Sequence, residues 1–154
     1  MAAEYSANLL QTVAPNQSVV FSESPVPCNR GLVFHRDESG LFRVASRAEC
    51  IAVCCCNLPE TLYQVAFHAN VQIPEGGAIE EISLAIAIDG EIDPSSTMIV
   101  NPTAVELLEN VGAEIIVAVP CICRCSTVSV RNTSAQDIDV QNANIIFSYL
   151  GVRR

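Results

Sequence analysis

Lysine is missing from this chain: all eight basic residues are arginine. Charge of either sign is scarce, at 16% of 154 residues, against about 25% in a typical soluble domain. Seventeen carboxylates oppose the arginines and leave a net charge of −9, so the phosphate backbone of nucleic acid is a poor partner. No window reaches the ~18 uninterrupted apolar residues of a membrane helix. The opening Met-Ala-Ala-Glu-Tyr has no basic region followed by an apolar core, which predicts synthesis in the cytoplasm without a Sec-type leader. Helical periodicity is nearly absent, the one candidate being a short connector over 103–110 with Leu107 and Leu108. No repeat, low-complexity tract or linker divides the chain. Phosphate loops, dinucleotide fingerprints and nucleophile–base pairs are all missing, so the chain is read as a non-enzyme that uses no cofactor.

What is present is apolar and sulfur-rich. Half of the residues are hydrophobic and eight are cysteine. A chain near 150 residues folds around one core without metal or disulfide staples, so the cysteines need another explanation. They point to an oxidising final location, because cytosolic thiols are kept reduced. Together with the missing leader, this fits a protein exposed on a virion or on a spore or cell exterior.

The dominant period is two. In the run 62–71, Tyr63, Val65, Phe67, Ala69 and Val71 share one face and Gln64, His68 and Asn70 the other, the pattern of a half-buried strand. The run 82–88 sets small residues opposite aliphatic ones, and Asp89-Gly90 supplies the positive-φ pair of a tight hairpin. Further strands are expected at 18–21, 32–35, 41–45, 97–100, 114–119, 127–131 and 138–150. Within the last, Ile138 and Val140 lie on one parity and Ala143, Ile145, Phe147 and Tyr149 on the other, which predicts a bulge near Asn142. Many short strands separated by Pro, Gly and Asn turns imply an all-β sandwich or barrel.

Three blocks carry a likeness to a known family. The run 62–71, the strand and turn Ile86-Ala87-Ile88-Asp89-Gly90-Glu91, and the closing pair 128–132 and 140–151 together resemble the compact jelly rolls of the tumour necrosis factor and complement-type globular heads, in a bacterial or phage version. The resemblance implies a two-sheet antiparallel jelly roll of about ten strands and a tight homotrimer. Residues 1–16 would form an N-terminal arm or edge strand, and 17–154 a single jelly-roll domain. Composition also favours an oligomer, because strands apolar on both faces leave aliphatic surface that one core does not use. Candidates for the subunit contact are Tyr63, Phe67, Ile145, Phe147 and Tyr149. Leu9 and Leu10 are candidates for docking onto a parent capsid or surface-layer protein.

Cys28, Cys50, Cys54, Cys55, Cys56, Cys121, Cys123 and Cys125 are candidate disulfide partners; an even count permits four bridges and 105 connectivities, within or between subunits. Were 121–125 a strand, its three thiols would form a row on one face, each needing a partner on another strand. Buried free thiols and a zinc site are the other readings, although contiguous Cys54-Cys55-Cys56 is poorly shaped for one tetrahedral ion. His35 and His68 are read as ordinary strand histidines, the acids of 89–93 as a solvated turn rather than a calcium loop, and the sequons at Asn16 and Asn132 as chance matches. These readings converge on a structural, self-assembling trimeric subunit on the outside of a larger particle, a virion decoration protein or fibre head. A disulfide-linked bacterial spore-surface or appendage subunit, and a carbohydrate- or receptor-binding module, are the alternatives.

Overall fold

Period-two alternation becomes two antiparallel sheets packed face to face in a computed structural model, which describes residues 1–50, 58–123 and 125–153. The strands in chain order are β1 (Ala2–Ala7), β2 (Gln11–Val13), β3 (Glu23–Val26), β4 (Val33–His35), β5 (Phe42–Ala45), β6 (Glu60–Gln72), β7 (Ile82–Ile88), β8 (Glu91–Ile92), β9 (Met98–Val100), β10 (Glu109–Pro120), β11 (Cys125–Asn132) and β12 (Ile138–Arg153). One sheet runs β10-β6-β12-β1-β3, with β2 on the far part of β12; the other runs β4-β5-β11-β7-β8, with β9 also on β7. This is an all-β jelly-roll sandwich. No described helix is long and apolar enough to cross a membrane.

The core sits between the sheets because each strand turns its larger apolar residues the same way. Tyr63, Val65 and Phe67 of β6, Ile145 and Phe147 of β12, Leu84 and Ile86 of β7, and Val128 and Val130 of β11 are all at most 3% exposed. Phe42 stands at the centre of an aromatic cluster, with ring centroids 4.9 Å from Phe147, 5.0 Å from Tyr5 and 5.2 Å from Phe21. Each such ring contributes about 1.5–3 kcal/mol by leaving water. Buried Asp139 accepts from Thr12 Oγ1 at 2.7 Å and Gln72 Nε2 at 3.2 Å.

Two turns follow from backbone chemistry. Asp89 and Gly90 both have positive φ, 51° and 87°, joining β7 to β8 as the Asp-Gly pair predicts. Asn142 has φ 52° where the β12–β6 register slips between Gln141 and Asn144, and this bulge rotates β12 so that Ala143, Ile145 and Phe147 continue the inward face.

Three expectations change. Residues 103–110 form no helix: Glu106 has φ 56° and donates its N–H to Ile73 O at 2.8 Å, so the segment is a turn with Leu107 and Leu108 exposed. Cys121–Cys123 is a single 3-10 turn between β10 and β11, with Cys125 opening β11, so the three cysteines do not share one strand. The first residues, expected within 1–16 as an arm or edge strand, form the strand β1, which is paired on both sides, by β12 and by β3.

Candidate subunit contact face and cysteine end

The outward face of the first sheet is built from the alternate residues of β10, β6, β12 and β1. Their register brings Glu114, Ala66, Ile146 and Glu4 into one row across the strands, Gly112, His68, Asn144 and Ser6 into a second, and Ile116, Gln64, Ser148 and Ala2 into a third. Ile116 is 55% exposed and Ile146 37%. The carboxylates at the flanks are engaged by neighbouring amides, Gln64 donating to Glu114 and Asn144 to Glu4. Gly112 and Ala66 contribute almost no side chain, so a shallow depression of about 440 Å³ opens beside His68, Asn144 and Ile146. A shallow socket with amide-paired Glu114 at its rim and exposed aliphatic shoulders suits a protein surface more than a small polar ligand.

The sequence assigned the contact to the other parity. Tyr63, Phe67, Ile145 and Phe147 point inward and are at most 3% exposed, so their side chains are filled by this chain's own core. Tyr149 is half-buried, edge-on to Tyr63 with centroids 5.9 Å apart. Any contact through these strands therefore falls to Leu62, Ala66, Ile116 and Ile146. The larger aromatic residues of these strands went to the core because they bury the most apolar area.

At one end of the sandwich Cys50, after β5, is disulfide-bonded to buried Cys121, after β10, with Cα atoms 5.3 Å apart. Polar contacts lie along the same seam: Thr61 Oγ1 accepts from Arg47 N–H at 2.7 Å and Ala48 N–H at 3.1 Å, and Cys121 N–H donates to Pro59 O at 3.0 Å. The bridge thus fastens the edge of one sheet to the ends of the other. Cys28 and Cys125 are half-buried free thiols. Burial pushes the Cys28 thiol up, but the backbone N–H groups of Arg30, Val33, Leu32 and Gly31 more than offset this and hold it below its usual range. Cys54, Cys55 and Cys56 lie outside the described residues, and the side chain of Cys123 is not described.

The remaining candidates separate. Leu9 and Leu10 stand 83% and 50% exposed on the turn between β1 and β2, beside a depression of about 320 Å³ shared with Val20 and Glu38. His35 stacks on Phe42 at 4.4 Å and donates Nε2–H to Ser39 O at 2.9 Å, whereas His68 is exposed on the sheet face. Asp89 accepts from Thr127 N–H at 2.8 Å and Asp93 from Ser95 N–H at 2.9 Å, so both serve the turn's own backbone. Asn132 of the second sequon is fully buried, its Nδ2 donating to Val13 O and Gln136 O, both at 2.9 Å, which removes it as a glycan acceptor. Among the described residues, no group of three His, Cys, Asp or Glu side chains is placed to hold a metal ion.

No protein-family model and no curated protein matches the sequence. Solved structures match over nearly the whole chain. Eiger TNF from S. frugiperda aligns with a TM-score of 0.65 at 12% identity, covering 98% of this chain and 92% of that one. Pika GITRL and the PRD1 vertex protein P5 each align with a TM-score of 0.50 at 12% identity, covering 97% of this chain and 96% of theirs. At such identity the likeness is one of fold: the chain has the TNF-like jelly roll that its three sequence blocks suggested.

Proposed function

We propose that this protein is a structural subunit that assembles with copies of itself, as a homotrimer, through the outward face of β10, β6, β12 and β1, and decorates the exterior of a larger particle such as a virion. One observation carries the reading: the exposed rows of that sheet are aliphatic, small or amide-paired around a socket, a composition closer to a core cut in half than to a solvated surface. Likeness over the full chain to a vertex protein supports the particle setting. In this reading Leu9 and Leu10, exposed on a short turn, dock onto the parent capsid or surface-layer protein. The Cys50–Cys121 bridge hardens the subunit against heat and protease.

Sedimentation equilibrium of the full chain at micromolar concentration tests the assembly, with a single trimeric species expected. A monomer across the micromolar range overturns the proposal. Copurification of the wild-type chain with the capsid of the encoding phage, lost in Leu9→Asp/Leu10→Asp, tests the docking turn; capsid binding that survives the substitution assigns docking elsewhere.

A further inference from the structure

On the opposite sheet, the β4–β5 hairpin carries a feature that the assembly does not use. Phe34 and Arg43 are directly opposed in register on the outward face, because Val33, Val44 and Phe42 turn inward. Phe34 is 55% exposed, and its ring tip would lie 3.6 Å from a Cβ built on Gly31, so it rests over bare backbone. Together with His35, Arg36, Ser39 and Leu41 the pair lines a depression of about 420 Å³. Two arginines therefore line the same depression as an exposed aromatic side chain, in a chain whose net charge is −9.

Among the described residues neither guanidinium is in an ion pair, the single one being Arg153 with Glu60. Arg43 makes one polar contact, to Cys125 Sγ at 3.8 Å, and Glu38 lines a different depression beside Leu9 and Leu10. Ser39 Oγ accepts the Leu41 N–H at 3.1 Å, which leaves its hydroxyl hydrogen free to donate. A flat apolar face, two forked cationic donors and a hydroxyl donor meet in a space within the usual range of about 300–1,000 Å³ for ligand sites.

We infer that this hairpin binds an anionic saccharide, its ring face laid on Phe34 and its carboxylate or sulfate held by Arg36 and Arg43. A sugar offers the required combination of an apolar C–H face, hydroxyls and one localised anion. An acidic peptide would need an edge to lie along, and β4 presents only three residues. The site lies on the sheet opposite the proposed subunit contact, so the two readings succeed or fail separately.

The test is calorimetric titration of the full chain at low salt with an oligogalacturonate, a heparin-derived oligosaccharide, neutral maltohexaose and polyglutamate. Saturable binding to at least one acidic saccharide is expected, with none to maltohexaose. The carboxylated and sulfated arms identify which anion the arginines prefer. Phe34→Ala and Arg43→Ala should each weaken binding roughly tenfold or more, the scale of one lost charge-assisted or stacking contact, with unchanged melting temperature because both side chains are exposed. Failure of both acidic saccharides to bind overturns the inference, as does equal affinity for polyglutamate or binding that neither substitution weakens.

Discussion

The two sheets share one core and one alternation, yet they turn different chemistry outward. On the first sheet the outward rows centre on Ala66, Ile116 and Ile146, with amides pairing the flanking carboxylates. On the second, the corresponding positions of β7 and β11 are Ala85, Ala87 and Ser129, at most 2% exposed, bordered by Thr127, Arg131 and the Phe34–Arg43 pair. A low overall charge content is thus unevenly spent: one face has aliphatic surface left uncovered, and the other has small residues already covered plus cations. The first chemistry suits a subunit contact and the second a ligand with a localised anion. Composition averaged over the chain hides this division.

Placing an unpaired charge on each face is the strongest way to break the comparison. Ile146→Glu is expected to abolish self-association, because burying an uncompensated carboxylate beside Glu4, its partner in register, costs on the order of 5 kcal/mol or more. Ile99→Glu, which alters a more exposed aliphatic residue, 53% against 37%, on β9 of the other sheet, should leave the sedimentation profile unchanged. Equal effects from the two would remove the distinction. The next effect separates the inward parity from the outward one in a single strand. Phe147→Ala should destabilise the fold by about 3–5 kcal/mol in urea unfolding, the cost of a fully buried ring, whereas Ile146→Ala should cost well under half as much.

The bridge across the cysteine end comes third. Replacing both Cys50 and Cys121 by Ala should cost about 2–4 kcal/mol, since the closed loop spans 71 positions in sequence, and oxidised and reduced protein should differ in melting temperature accordingly. Tyr63 gives a pH signature of the same end. Its hydroxyl donates to Ala45 O at 2.5 Å, and burial, with the nearby Cys28 and Tyr149, pushes its pKa up to about 12 from 10.0. The folded state holds this proton more tightly than the unfolded chain. The contribution is therefore complete below pH 10 and is lost as pH rises from about 10 through 12. Tyr63→Phe should flatten that alkaline loss, read by urea midpoints across pH 9–12. The smallest effect is at the bulge: Asn142→Gly should stay within about 1 kcal/mol of wild type, because glycine adopts positive φ without penalty.

Much of the fold was legible because its cause is local. Alternation in 62–71 and 82–88 located β6 and β7, the Asp89-Gly90 pair located the β7–β8 hairpin, and the parity change in 138–150 located the bulge at Asn142. The first strand was legible only as an arm or edge strand over 1–16, and β3, which contains Pro25, was not legible, because their pairing depends on the long-range partners β12 and Glu4. Leu107 and Leu108 suggested a helix, but the contact of Glu106 with Ile73 holds a turn there, and that bond joins residues far apart in the chain.

Sequence alone determined that the chain is an all-β sandwich, because side-chain period and turn residues act over a few positions, and three of its blocks carried the resemblance to the TNF-like jelly roll. It also located the strands on which the proposed contact lies. Only the tertiary structure decided which parity of those strands faces the core, which cysteine meets Cys121, and which arginines stand uncompensated. Alternation has two equivalent faces until a second sheet covers one of them. Disulfides and ion pairs depend on distances between residues whose separation in sequence carries no information about their separation in space.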